Sequence, residues 1–143
     1  VAGAAAFLAG HLVAIALYLR NRRAELSASQ RTLGWLIVPA TVLIAVGFTA
    51  RSGQAVTVGI YTAALGVMAA TAWTSRFPRY RTGIGAMLFV ASDLLIFSRS
   101  GPLAGSFVPT LLIWPFYFTG QALIAWGVVG TLRDADGAAS SGQ

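Results

Sequence analysis

Apolar runs recur along the chain at 1–19, 33–50, 55–74, 83–97 and 107–132. Most come close to the roughly 20 residues that a helix needs to cross a hydrocarbon core. None shows the two-residue alternation of a barrel strand, and all exceed strand length, so the pattern predicts five transmembrane helices. The fourth run is short and needs its polar flanks to reach across. Turn chemistry separates the runs: Asn21, Ser27 and Ser29, Ser52-Gly53, Pro78, and Gly101-Pro102. The expected fold is all-α, a polytopic transmembrane helical bundle over 1–132. The small, polar stretch 133–143 has the composition of a disordered tail.

Composition removes the soluble alternative. Hydrophobic residues make up 57% of the chain and charged ones 10%, whereas a soluble domain carries about a quarter charged residues. Mean hydropathy is +0.74. The apolar runs are too long and too many for a cleavable signal peptide. A pI near 11.2 raises nucleic acid as a partner, but all ten basic residues are arginines in short connections beside apolar spans. That is the pattern of membrane orientation, and no nucleic-acid partner is expected. Arg20, Arg22, Arg23 and Arg31 lie in or beside the first loop, and Arg76, Arg79 and Arg81 lie in the third; Arg51 and Arg99 are alone in the second and fourth. Cytoplasmic loops retain arginine, so loops one and three are expected inside, with the N-terminus outside and the C-terminus, after Arg133, inside. Trp35, Trp73 and Trp126 fall near the inner ends of their spans, where an aromatic belt belongs. The alanine-rich, all-arginine composition points to a GC-rich bacterial genome and so to a bacterial plasma membrane. Because the chain opens on Val1 within a span, upstream helices are expected to precede it. Without cysteine there is no disulfide, thiolate nucleophile or thiolate metal site.

One residue conflicts with this apolar background. Asp93 lies inside the run 83–97, where a charge costs about 2.5–3.5 kcal/mol on insertion scales, and such residues mark functional sites. At 1.5 Å of rise per residue, Asp93 lies about 18 Å from the level of Arg81, and Gln121 about 18 Å from Arg133. His11 comes to about 14 Å from Arg20, with Tyr61 and Tyr117 at about 22 and 24 Å. Residues distant in sequence thus share one slab near the midplane, and a polar cluster among four helices would make Asp93 tolerable. Tyr117 and Gln121 are spaced i, i+4 and share a helical face. Pro115 lies just before them, where a kink would free backbone acceptors. Gly66, with Ala63, Ala69 and Ala70, reads as close helix packing.

The bland reading of Asp93 is a carboxylate that ties helices together. A lone membrane histidine is more often an interhelical hydrogen-bonding group than a catalyst, and a tyrosine near an interface is commonplace. One histidine and one membrane aspartate form no metal set. Ser92 has no Ser/His/Asp spacing that would mark a hydrolase triad, and no GxGxxG or P-loop pattern occurs.

The segment Gly85-Ala86-x-x-Phe89-x-x-Ser92-Asp93 resembles the signature helix of the YhhN family of membrane proteins, which includes the lysoplasmalogenases. The last span, Tyr117-x-x-Gly120-Gln121-Ala122-Leu123-Ile124-Ala125-x-Gly127, resembles the family's closing motif. Phe7-x-x-Gly10-His11, and Tyr61 with Met68 seven residues on, are similar in the corresponding order. The resemblance runs over nearly all of 1–132. The family usually has eight spans, with a further Gly-Asp motif in its first helices that this chain lacks. Ala14 stands where the family often has a tyrosine.

The resemblance implies hydrolysis of the vinyl ether bond of a lysoplasmalogen to a fatty aldehyde and a glycerophospho-base. An enol ether is hydrolysed by protonation of its β-carbon, giving an oxocarbenium ion that water captures as a hemiacetal, which then collapses. A carboxyl out of water favours its neutral form and can give up that proton, so Asp93 is the candidate acid and His11 the candidate shuttle or partner. Ser92, Tyr61, Tyr117 and Gln121 are the candidate substrate-binding residues, with the chain of a lysophospholipid among the apolar helices and membrane lipids around them. No cofactor is required. The rival expectation is a small membrane transporter or lipid-binding protein in which Asp93 and His11 relay protons or hold a polar ligand.

Overall fold

The computed structural model describes residues 2–141, so Val1, Gly142 and Gln143 fall outside the described residues. Among the described residues there are five α-helices and no strand: α1 (Ala2–Arg20), α2 (Ala28–Thr49), α3 (Ala55–Thr74), α4 (Ile84–Ser98) and α5 (Val108–Ser141). A single π-helical turn, Arg79–Gly83, leads directly into α4. Among the described residues four helical segments are long and apolar enough to cross a membrane, α2, α3, the π turn with α4, and α5, and Ala5–Arg20 of α1 is a shorter apolar stretch. Large apolar side chains point outward on every helix, among them Val13, Leu43, Ile60, Ile96 and Leu111. Helices that are apolar all round suit a lipid solvent, since water would leave such faces costly.

Local chemistry explains the helix ends. Ser27 and Gln30 form a reciprocal capping box, with Gln30 N donating to Ser27 Oγ at 3.3 Å and Ser27 N to Gln30 Oε1 at 3.1 Å. This cap satisfies two orphan donors, and it starts α2 before the apolar run at 33. Gln30 Nε2 also donates to the Trp73 carbonyl at 3.4 Å, tying the head of α2 to the tail of α3. Asn21 closes α1, its Nδ2 donating to the Leu17 carbonyl at 2.9 Å. Gly53, at φ 72°, makes the left-handed turn between α2 and α3 that a side chain would resist. The π turn supplies the length that the fourth apolar run lacked: with it the helix is continuous over Arg79–Ser98.

The tail departs from expectation. Rather than ending near 132, α5 continues as an exposed helix through Ser141. Once a helix is nucleated each further residue costs little, and Ala135, Ala138 and Ala139 are strong helix formers with no proline to stop them.

α3 lies at the centre, packed on α1, α2 and α4, while α5 packs on α4 and the π turn. Leu65, Ala69 and Ala72 of α3 and Ala86 and Phe89 of α4 form the core with Tyr18 and Phe77. Small residues set the approaches, as membrane packing favours. A β-carbon on Gly66 would lie 3.0 Å from Val38 Cα, and one on Gly85 would lie 2.7 Å from the Gly120 carbonyl oxygen. At the other end of that crossing Gly127 slides against Thr82. The first and third connections also meet, through an isolated antiparallel bridge between Arg22 and Ser75 and a 2.8 Å bond from Arg76 N to the Asn21 carbonyl. The arginine-rich loops therefore share one end of the bundle. Trp35 and Trp126 face outward there, whereas Trp73 turns inward against Gly83.

Candidate functional site

α1 and α5 flank the bundle without close backbone approach to each other. Between them lies an open cleft of about 620 Å³ whose floor is Met68 of α3 and Phe89 of α4. On α1, Phe7, His11 and Ala14 face this space, spaced as one face of a helix. On α5, Tyr117, Phe118 and Gln121 line the opposite wall. The rings of Phe7, Phe89 and Tyr117 form a triangle, with centroids 6.3 Å (Phe7 to Phe89), 6.2 Å (Phe7 to Tyr117) and 5.4 Å (Phe89 to Tyr117) apart. Such offset and edge contacts hold rigid apolar walls. Among the described residues no Asp, Glu, Lys or Arg side chain lines the cleft.

Asp93 sits one turn beyond Phe89 on the same face of α4, only 5% exposed. Tyr61 of α3 donates its hydroxyl to Asp93 Oδ2 at 2.7 Å, a charge-assisted length. His11 Nε2 lies 3.4 Å from the same Tyr61 oxygen. The imidazole is also held edge-on against Phe89, with centroids 5.5 Å apart at 90°. Three helices thus contribute one residue each to a line that runs from Asp93 through Tyr61 to His11 and ends on the cleft wall. The desolvation of Asp93 is offset by this bond, which is why the carboxyl can reside among apolar helices.

The structure brings His11, Tyr61 and Asp93 into one hydrogen-bonded line and places Tyr117 and Gln121 across the cleft from His11. Ser92 does not join them: it is buried, and its hydroxyl donates to the Phe89 carbonyl of its own helix at 3.0 Å. Asp93 itself does not line the cleft, because Tyr61 and His11 stand between. Sequence reasoning passed over Phe118 as a cleft residue and treated Phe7, Met68 and Phe89 only as pieces of motifs; the i, i+4 and i, i+7 spacings from His11, Tyr61 and Asp93 were the available signal. Pro115 lies within α5, two residues before Tyr117 of the cleft wall, and the helix continues through it. Among the described residues no three His, Cys, Asp or Glu side chains group to hold a metal.

A carboxyl, a phenol and an imidazole in series are able to pass or polarise a proton between the buried end and the cleft. Across known proteins, no curated protein and no solved structure matches the chain. The family model described as the YhhN family matches residues 1–128, a span that holds all three groups and both walls of the cleft. By that match this helical membrane protein belongs to the YhhN family.

Proposed function

We propose that the chain is an integral-membrane hydrolase of lysoplasmalogen-type lysophospholipids, cleaving the vinyl ether to a fatty aldehyde and a glycerophospho-base. The observation that carries this reading is the Asp93, Tyr61, His11 line ending on an aromatic-walled cleft. Vinyl ether cleavage needs a proton at carbon, then activated water, and nothing else. The line supplies acid and base capacity, and family membership is compatible with the activity. The faces of Phe89 and Tyr117 offer electron density to an oxocarbenium ion, while the apolar walls accept the alkenyl chain. Gln121 and Tyr117 provide hydrogen-bonding groups for the glycerol end. The arginine-rich end is assigned to the cytoplasmic side of a bacterial plasma membrane, by the retention of arginine in cytoplasmic loops.

The test is aldehyde release from a lysoplasmalogen by membranes containing the protein, wild type against Asp93→Asn and Asp93→Ala. Both substitutions break the line and are expected to lower turnover by about 10²-fold or more, the scale of acid–base catalysis. Wild-type membranes that form no aldehyde would remove the substrate assignment. Mutants that keep full turnover would remove Asp93 from the reaction.

A further inference from the structure

Hydrogen-bond direction along the buried line decides which atom meets the substrate. Tyr61 has one hydroxyl proton, and at 2.7 Å from Asp93 Oδ2 that proton goes to the carboxylate. With that proton on Asp93, the Tyr61 oxygen is an acceptor towards His11, which favours the imidazole proton on Nε2, the nitrogen 3.4 Å away. Nδ1 is left with a free lone pair and no hydrogen-bond partner among the described residues. Of the three groups, His11 alone lines the cleft.

We propose that His11 is the group that exchanges protons with the substrate, through Nδ1, and that Asp93 and Tyr61 are positioning residues that act on it from behind. This inference rests on the reading of the site as a vinyl ether hydrolase, and it assigns both proton steps to one atom. In the charged ring, Nδ1–H gives its proton to the β-carbon of the enol ether. The π pair forms the new C–H bond while an oxygen lone pair closes the oxocarbenium double bond. Water then adds to the oxocarbenium carbon and loses a proton to the emptied Nδ1, giving the hemiacetal and restoring the charged ring. The hemiacetal breaks its bond to the glycerol oxygen, its hydroxyl proton moves to that oxygen, and the products are aldehyde and alcohol. No net proton, electron or co-reactant is consumed beyond water. Throughout, Nε2–H stays on Tyr61, whose own proton stays on Asp93, so the ring keeps its orientation and its positive charge has a carboxylate two bonds away. Tyr117, on α5, is the titratable group that faces His11 from across the cleft, with Tyr61 and Asp93 behind it.

His11 is the chain's one histidine, so ¹⁵N-histidine labelling gives a single imidazole to observe in lipid nanodiscs. For the neutral ring, Nε2 is expected to be pyrrole-like and Nδ1 pyridine-like in the wild type, and Tyr61→Phe should abolish that preference. A proton on Nδ1 in the wild type, or unchanged resonances in Tyr61→Phe, overturns the proposal whatever the activity. In the aldehyde assay, His11→Ala should lose about 10²-fold or more, with partial recovery on adding imidazole, small enough for a cleft of about 620 Å³. A folded His11→Ala protein with wild-type turnover also overturns it while leaving lysoplasmalogen hydrolysis intact. Absence of aldehyde from the wild type sinks the hydrolase reading instead, and the nitrogen resonances still report whether His11 holds Nδ1 free.

Discussion

α5 meets its two neighbours across the bundle in opposite ways. Against α4 it comes backbone to backbone: a β-carbon on Gly120 would lie 2.8 Å from the Gly85 carbonyl oxygen, and one on Gly85 would lie 2.7 Å from the Gly120 oxygen. Against α1 there is no close backbone approach, and the edge of Tyr117 meets Phe7. Lipid is as apolar as leucine, so helices in it associate by fit rather than by escape from solvent. Glycine at the crossing permits that fit, whereas paired aromatic rings prop the other two helices apart and leave a cleft. The polar line ends on the propped side, where a ligand could reach it.

Placing one side chain on each side should separate these roles most sharply. Gly85→Leu forces a branched side chain into the Gly120 backbone and should destabilise by at least the upper part of the usual overpacking range of about 1–3 kcal/mol; thermal unfolding in detergent would register it. A well-folded variant with an unchanged midpoint would deny that the crossing is closed. Next in size, Tyr61→Phe leaves Asp93 buried without its donor and should cost about 1–3 kcal/mol of stability, together with loss of turnover. Ala14→Leu inserts the same side chain as the first variant, but into the cleft, and should change stability by less than about 1 kcal/mol while impairing substrate use. Equal destabilisation at Ala14 and Gly85 would erase the contrast between the two sides. The smallest effect belongs to Ser92→Ala, under about 1 kcal/mol and without change in turnover, because its hydroxyl serves only its own helix.

Reading depth along each span brought His11, Tyr61, Asp93, Tyr117 and Gln121 to one level before any contact was known, because the rise of a helix is invariant. Depth says nothing of azimuth. Ser92 and Asp93 share a level yet differ in use: Ser92 turns back on its own helix and Asp93 reaches Tyr61. Likewise Trp35, Trp73 and Trp126 were grouped by level, and packing against Gly83 set Trp73 apart. The apolar run 55–74 coincides with α3, and Ser52-Gly53 punctuates its start. The earlier start of α2 was also written in Ser27 and Gln30, a capping pattern outside the apolar run. The length of α5 was not, because a polar, alanine-containing extension is compatible with helix or coil and composition does not choose between them.

By itself the sequence determined that this is a helical membrane protein, how many apolar helices these residues form, and that an acid lies at their depth. Those properties follow from hydrophobicity and helix rise, which act along one dimension. Which face each helix shows its neighbours, that Tyr61 stands between Asp93 and His11, and that the cleft opens between α1 and α5 were decided only by tertiary packing. There, glycine crossings and propped aromatic rings select among rotations that the apolar pattern leaves nearly equal in energy.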